Sequence, residues 1–182
     1  MQEALELSVR EIKKEDIDLI ADYWLTSEPD FLTGMGVDLQ KLPTRRDLQK
    51  MLSQQIETPY QKKKSYALIW LANGRPVGHS NVNEIEYGNQ AKMHLHLWKS
   101  DLRQKGMGSE LLAKTLPFYF DRLKLVVIWC EPYAKNPAPN RTLASSGFEF
   151  VKQYVTTPGS LNFEQEVNRW KLTREKFKVN YK

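Results

Sequence analysis

A single domain of mixed α and β structure (α/β, α+β) is what this sequence predicts, and three observations carry that expectation. Strand-like alternation gives way to helical spacing within the first 25 residues, an Asn-Gly turn separates two β-rich runs, and a two-glycine loop leads from a strand into an amphipathic helix. The 182 residues suit one domain spanning 1–182 and are enough to bury a core. A hydrophobic content of 41% beside 27% charged residues excludes a disordered or collagen-like chain. No repeat, low-complexity tract or Gly/Ser linker divides the sequence.

Leu5, Leu7 and Val9 alternate with polar residues as a half-buried first strand, and Ile17, Leu19, Ile20 and Trp24 then recur at helical spacing within residues 13–25. Residues 27–43, with Gly34, Gly36, Pro29 and Pro43, read as loop, and a helix is expected over 44–56 with Thr44 as its cap. Residues 65–72 and 76–86 read as strands joined at Asn73-Gly74-Arg75, Asn-Gly being the strongest short-range hairpin signal. Tyr87-Gly88-Asn89-Gln90 makes the next turn. Residues 91–98 return as a strand with His94, His96 and Trp98 on one face and Met93, Leu95 and Leu97 on the other.

The first residues lack the basic region and apolar run of a signal peptide, and no stretch approaches the roughly 18 apolar residues of a membrane span, so a cytoplasmic protein is expected. Cys130, the single cysteine, excludes an internal disulfide and a Cys-rich zinc cluster; after Leu125-Val126-Val127-Ile128-Trp129 it reads as a packed thiol. The formal net charge of +5 suits nucleic acid or a small polyanion equally and does not decide between them. The one dense basic run, Lys62-Lys63-Lys64, reads as a solvated loop.

Chemistry enters at Asp101-Leu102-Arg103-Gln104-Lys105-Gly106-Met107-Gly108-Ser109, a short loop opening a helix that reaches about Arg122. Free N–H groups at a helix N-terminus attract an anion, glycines let it approach the main chain, and Arg103 and Lys105 add positive charge. A P-loop would need a Gly-Lys-Ser/Thr ending, and a dinucleotide fold would need three glycines with an acidic residue about 20 positions on; both patterns are missing. Further along, Asn136-Pro137-Ala138-Pro139-Asn140-Arg141-Thr142-Leu143-Ala144-Ser145-Ser146-Gly147-Phe148 reads as a short helix entered at the prolines and closed by a C′ glycine.

The run from Arg103 to Gly108 resembles the Arg/Gln-x-x-Gly-x-Gly/Ala pyrophosphate loop of the GCN5-related N-acetyltransferases (GNAT superfamily). The segment from Asn136 to Phe148 resembles that family's second signature, with Gly147 eleven positions after the Asn. The resemblance implies a single mixed, mostly antiparallel, V-shaped sheet flanked by helices, whose strands at 93–98 and 125–130 part to admit a pantetheine arm. It implies acetyl-CoA as cosubstrate and no metal. Arg103, Gln104, Lys105, Gly106, Met107, Gly108 and Ser109 would lie at the pyrophosphate, and backbone groups of His96, Leu97 and Trp98 along the arm. Asn136, with Asn140 in the same signature, would contact the arm. The implied reaction is direct transfer, in a ternary complex, to a primary amine on a small molecule or peptide, without nucleic acid or membrane; a homodimer stays open.

Many family members carry a tyrosine four residues before the glycine to protonate the thiolate; here that residue is Leu143. The segment therefore looks closer to the ribosomal-protein N-terminal acetyltransferases, although their serine three after the Asn is Pro139 here. Tyr133 is a substitute acid candidate. His94 and His96 are candidate bases, since two residues two apart on a strand share a face and imidazole titrates near neutrality. The His-Leu-His pattern resembles one in the arylalkylamine N-acetyltransferases, set two residues further from the loop there. Buried, hydrogen-bonded histidines are the alternative reading, and a metal lacks a third ligand. Glu84, with His79 and Glu86, is the fallback. Trp24, Phe31 and Tyr60 read as core or as acceptor-pocket lining. An acyl-CoA-binding regulatory module is the alternative function, and a nucleic-acid-binding protein a more distant one.

Overall fold

The computed structural model describes residues 5–102 and 106–181. Its strands are β1 (Leu7–Glu11), β2 (Ser65–Ala72), β3 (Arg75–Glu86), β4 (Gln90–Leu97), β5 (Val127–Cys130), β6 (Glu149–Thr156) and β7 (Gln165–Thr173). They form one sheet in the order β1-β2-β3-β4-β5-β7-β6, with β4–β5 the parallel pair and the other neighbours antiparallel. The helices are α1 (Ile17–Thr26), α2 (Pro29–Gly34), α3 (Arg45–Glu57), α4 (Met107–Arg122), α5 (Pro137–Ser145) and α6 (Arg174–Asn180). Among the described residues no helix is long and apolar enough to cross a membrane.

Strand periodicity explains the layering. On β2, Tyr66, Leu68 and Trp70 join the core beneath α4, while Ala67, Ile69 and Leu71 face Ile17 and Ile20 of α1 and Leu52 of α3. The strand is thus buried on both faces and reads as an unbroken apolar run. Trp70 Nε1 donates to Thr115 Oγ1 at 2.8 Å, so the one polar atom of that large ring is satisfied inside the core.

Local signals set the boundaries. Thr44 Oγ1 accepts the Asp47 amide (3.2 Å) and Asp47 accepts the Thr44 amide (3.3 Å), a reciprocal cap that starts α3. Asn73 (φ 48°) and Gly74 (φ 72°) both take the left-handed conformation that a two-residue hairpin turn demands. Gly147 (φ 78°) closes α5 at C′ as expected.

Two segments differ from expectation. Residues 29–34, read as loop, form α2, because Pro29 sits in the first helical turn where its missing N–H costs nothing. Lys63, read as solvated, is 7% exposed: its ammonium donates to the Gln55 carbonyl and lies 5.7 Å from the centres of the Tyr60 and Tyr66 rings.

The parallel ladder between β4 and β5 runs through Gln90–Val127, Ala91–Ile128 and Lys92–Trp129. At the next residue the Met93 carbonyl accepts Cys130 Sγ (3.0 Å), and there β5 ends while β4 continues to Leu97. The strands part there, and the functional site opens from that split.

Candidate active site

A cavity of about 430 Å³ runs from the parted ends of β4 and β5 to the inner faces of α1 and α3. Met93, Leu95, Cys130, Tyr133, Asn136 and Pro139 line it at the split; Ile20, Trp24, Leu48, Met51 and Leu52 line the helical wall. Between them lies a polar floor made by two antiparallel strands. The register sets His79 of β3 opposite His96 of β4 and Asn81 opposite His94, with Asn83 one step further on.

Tight packing fixes the imidazoles. His79 and His96 stack with centroids 4.6 Å apart, and Trp98 Nε1 donates to His79 Nδ1 at 2.8 Å. An indole N–H only donates, so His79 keeps its own proton on Nε2. Burial, with a smaller contribution from nearby His94, pushes His79 down to about 3. His96 Nδ1 lies 3.2 Å from the Tyr23 hydroxyl, and its ring packs edge-on to Trp24. Burial holds its pKa well below the usual histidine range, with repulsion from His79 and His94 added. His94 Nε2 lies 3.2 Å from Asn83 Oδ1. An amide oxygen only accepts, so the proton sits on Nε2 and Nδ1 is the basic nitrogen. Burial, then the Lys92 ammonium, lowers His94 to about 4 against the opposing pull of Glu131. All three imidazoles are therefore neutral at physiological pH.

Glu131 is the carboxylate among the described lining residues. It is 8% exposed, ion-paired with Lys92 (3.0 Å) and Arg169 (3.2 Å), and accepts the Tyr154 hydroxyl. Burial works against its charge, but the hydrogen bonds from Tyr154 and Lys92 with both cations outweigh that and keep its pKa low. Glu84 lies elsewhere: it sits at φ 48° in the β3 bulge, exposed, paired to Lys92 at 3.2 Å, and lines a separate small polar cleft. Glu86 is spent on Asn89 and Gln90 at the hairpin turn. The structure thus brings His94, His96 and Tyr133 into one cavity and leaves Glu84 outside it.

At the start of α4, Gly106 (φ 73°) takes the left-handed conformation, and among the described residues no side chain caps the helix. The first amides of α4, from Met107 to Ser109, have no intrahelical acceptor. Gly108 and Ser109 abut Thr142 and Ser145 of α5, the Ser109 and Ser145 hydroxyls being 3.0 Å apart. Arg103, Gln104 and Lys105 lie outside the described residues. Asn136 does not use its side chain as the α5 cap and lines the cavity. Asn140 differs: Nδ2 donates to the Tyr133 and Asn136 carbonyls (3.1 and 2.8 Å), and Oδ1 accepts Asn168 Nδ2 and Trp170 Nε1 (2.9 and 3.0 Å). All its hydrogen-bonding positions are filled, so Asn140 anchors residues 133–136 to β7 rather than reaching the cavity. The Trp98 amide donates to the Val77 carbonyl (2.9 Å), which commits that N–H to β3.

Sequence reasoning did not find Asn81, Asn83 or the Glu131 cluster. The asparagines were reachable in principle, since they follow His79 at even spacing on the strand hairpinned to His94 and His96. The Glu131 partners, Lys92, Tyr154 and Arg169, come from three strands and leave no local pattern.

A sheet split at one parallel pair, with a glycine-opened helix beside the split, defines an acyltransferase architecture. The acetyltransferase (GNAT) domain matches residues 6–149, and this chain belongs to that family of enzymes. The structure is similar to that of aminoglycoside acetyltransferase AAC(6')-Ib with coenzyme A, with TM-score 0.73, 16% identity, and coverage of 97% of this chain and 100% of that one. It is also similar to spermidine N-acetyltransferase from Vibrio cholerae with CoA and spermine (0.75, 16%, 94% and 97%). An uncharacterized protein from Bacillus halodurans shares the fold too (0.70, 17%, 97% and 89%). No curated protein matches the sequence. At these identities the structural likeness speaks to fold alone.

Proposed function

We propose that this enzyme transfers an acetyl group from acetyl-CoA directly to a primary amine, within a complex holding both substrates. The observation that carries the reading is the continuity of one cavity from Asn136 and the split of β4 and β5 to the neutral histidines on the sheet. The residues present fit the cosubstrate: uncapped amides behind a left-handed glycine suit its phosphates, and the open split beside Asn136 suits its extended arm. Gly106, Met107, Gly108 and Ser109 would hold the pyrophosphate, with Asn136 and the β4 backbone along the pantetheine. Bound acetyl-CoA supplies a thioester: the amine nitrogen forms the C–N bond, the C–S bond breaks with its electron pair on sulfur, nitrogen loses a proton and sulfur gains one.

His94 Nδ1 accepts the amine proton, directly or through one water, while Asn83 holds the ring in the productive tautomer. A pKa of about 4 keeps Nδ1 unprotonated at neutral pH but makes it a weak base, so it takes the proton only as the forming C–N bond acidifies the nitrogen, and the imidazolium then releases it to solvent. Tyr133, whose ring packs on Phe163 and which lines the same cavity as Asn136, would return a proton to sulfur. Cys130 does not carry the acyl group: its thiol is buried, donates to the Met93 carbonyl and is pushed up to about 12 by burial. The names of the structural relatives, aminoglycoside and spermidine acetyltransferases, support an amine acceptor.

Free-thiol release from acetyl-CoA, followed across a panel of amines, tests the reading. Amine-dependent release is expected. CoA binding with no release by any amine would instead leave a regulatory acyl-CoA-binding module.

A further inference from the structure

The acceptor wall is built for one nitrogen and not for several. We infer that the acceptor is a monoamine with an apolar body, and that the site discriminates against polycations. The inference rests on the acetyl-transfer reading and concerns what the same cavity admits.

Three observations converge. The helical wall is apolar apart from Gln55, whose amide is engaged by Ser65 and the Ala67 N–H: Ile20, Trp24, Leu48, Met51 and Leu52 make up the rest. The sheet floor is polar but uncharged, since its imidazoles are held neutral and its other members are Asn81 and Asn83. The one lining carboxylate among the described residues, Glu131, already meets Lys92, Arg169 and Tyr154. The other charged residue of the lining is Lys41, whose ammonium donates to the Asn162 carbonyl at 2.8 Å and pairs with Asp38 at 3.9 Å, so that carboxylate too is engaged. Asp18 and Asp22 of α1 face outward and are bridged by Arg45, so they do not supply the missing negative charge.

A single amine brings no lasting charge into such a site, because it must be neutral to attack and has left its ammonium proton to water before it does so. Every further ammonium on the same molecule stays charged, loses water against an apolar wall and finds no unpaired carboxylate. Spermine, bound by one structural relative, carries several such groups. The apolar wall stabilises instead an alkyl or aryl body, by removing its surface from water.

The test compares phenethylamine and tryptamine with spermidine, kanamycin and a short peptide bearing a free N-terminus, all with the intact enzyme and acetyl-CoA. The expected kcat/KM for the aryl monoamines exceeds that for either polycation by about 100-fold or more, the scale of one uncompensated buried charge. Calorimetric titration of the CoA-loaded enzyme gives a readout independent of turnover: phenethylamine binds and spermidine does not. Met51→Glu places a carboxylate on a wall residue that is 48% exposed and so tolerant of charge. It should narrow the ratio about 10-fold by improving spermidine and weakening phenethylamine. Equal or better turnover of spermidine or kanamycin, or turnover confined to the peptide, overturns the inference and leaves acetyl transfer standing. If no amine of any class releases thiol, the acetyl-transfer reading fails first and the inference falls with it.

Discussion

The two ends of the cleft are made of different materials. At the cofactor end the working groups are main chain: the amides that open α4 behind Gly106, and the edge of β4 where β5 stops. At the acceptor end they are side chains, drawn from β3, β4, α1 and α3 and tuned by burial. Backbone groups bind any molecule with the right phosphates and arm, whatever side chains surround them. Side chains decide which amine is admitted and how its proton leaves. The division predicts that changes at the two ends will show up in different kinetic constants.

The largest expected effect is on stability at the acceptor end. His79 and His94 fall to about 3 and about 4 in the folded protein from an ordinary value of 6.5. Below pH 6.5 the unfolded chain therefore binds protons that the folded chain refuses, so stability falls as pH falls. Each such histidine costs up to about 1.4 kcal/mol per pH unit, which gives on the order of 3 kcal/mol between pH 6.5 and 5 for the pair. Urea unfolding at those two pH values measures it, and a flat profile would mean the imidazoles are not held neutral.

Next in size is His94→Ala, expected to lower kcat about 100-fold while leaving KM for acetyl-CoA near its original value. If the variant instead raises KM for acetyl-CoA at unchanged kcat, the cofactor end reaches the histidines and the division is wrong. The smallest effect is Gly106→Ala. Among the described residues an added Cβ at Gly106 meets nothing within 4 Å, so its cost there is that of the left-handed backbone, about 1 kcal/mol. About a fivefold rise in KM for acetyl-CoA with little change in kcat is expected, and loss of kcat alone would place the helix start outside the cofactor site.

The same contrast governs how much could be read from sequence. Caps, turns and glycine positions are local, so Thr44, Asn73-Gly74, the Gly106 loop and Gly147 all announced themselves. Their order along the chain was enough for the sheet, the split and the family. The acceptor end required distances between elements. Nothing local says that Lys63 is buried over two tyrosines, that Asn140 turns away to bind β7, or that Glu131 is matched by Lys92 and Arg169. Glu84 shows the opposite error: it is out of phase with His79, Asn81 and Asn83, so alternation alone sets it on the other face of β3, and the bulge at Asn83–Glu86 leaves it exposed. A bulge adds a residue to one strand and reverses the faces beyond it.

Direct transfer across one continuous cleft is the central claim, and an initial-velocity study with both acetyl-CoA and an accepted amine varied tests it most directly. The buried, hydrogen-bonded Cys130 leaves no acyl carrier among the cysteines, so double-reciprocal plots should intersect, as both substrates must be present before the C–S bond breaks. Parallel lines would show an acyl-enzyme and contradict the account.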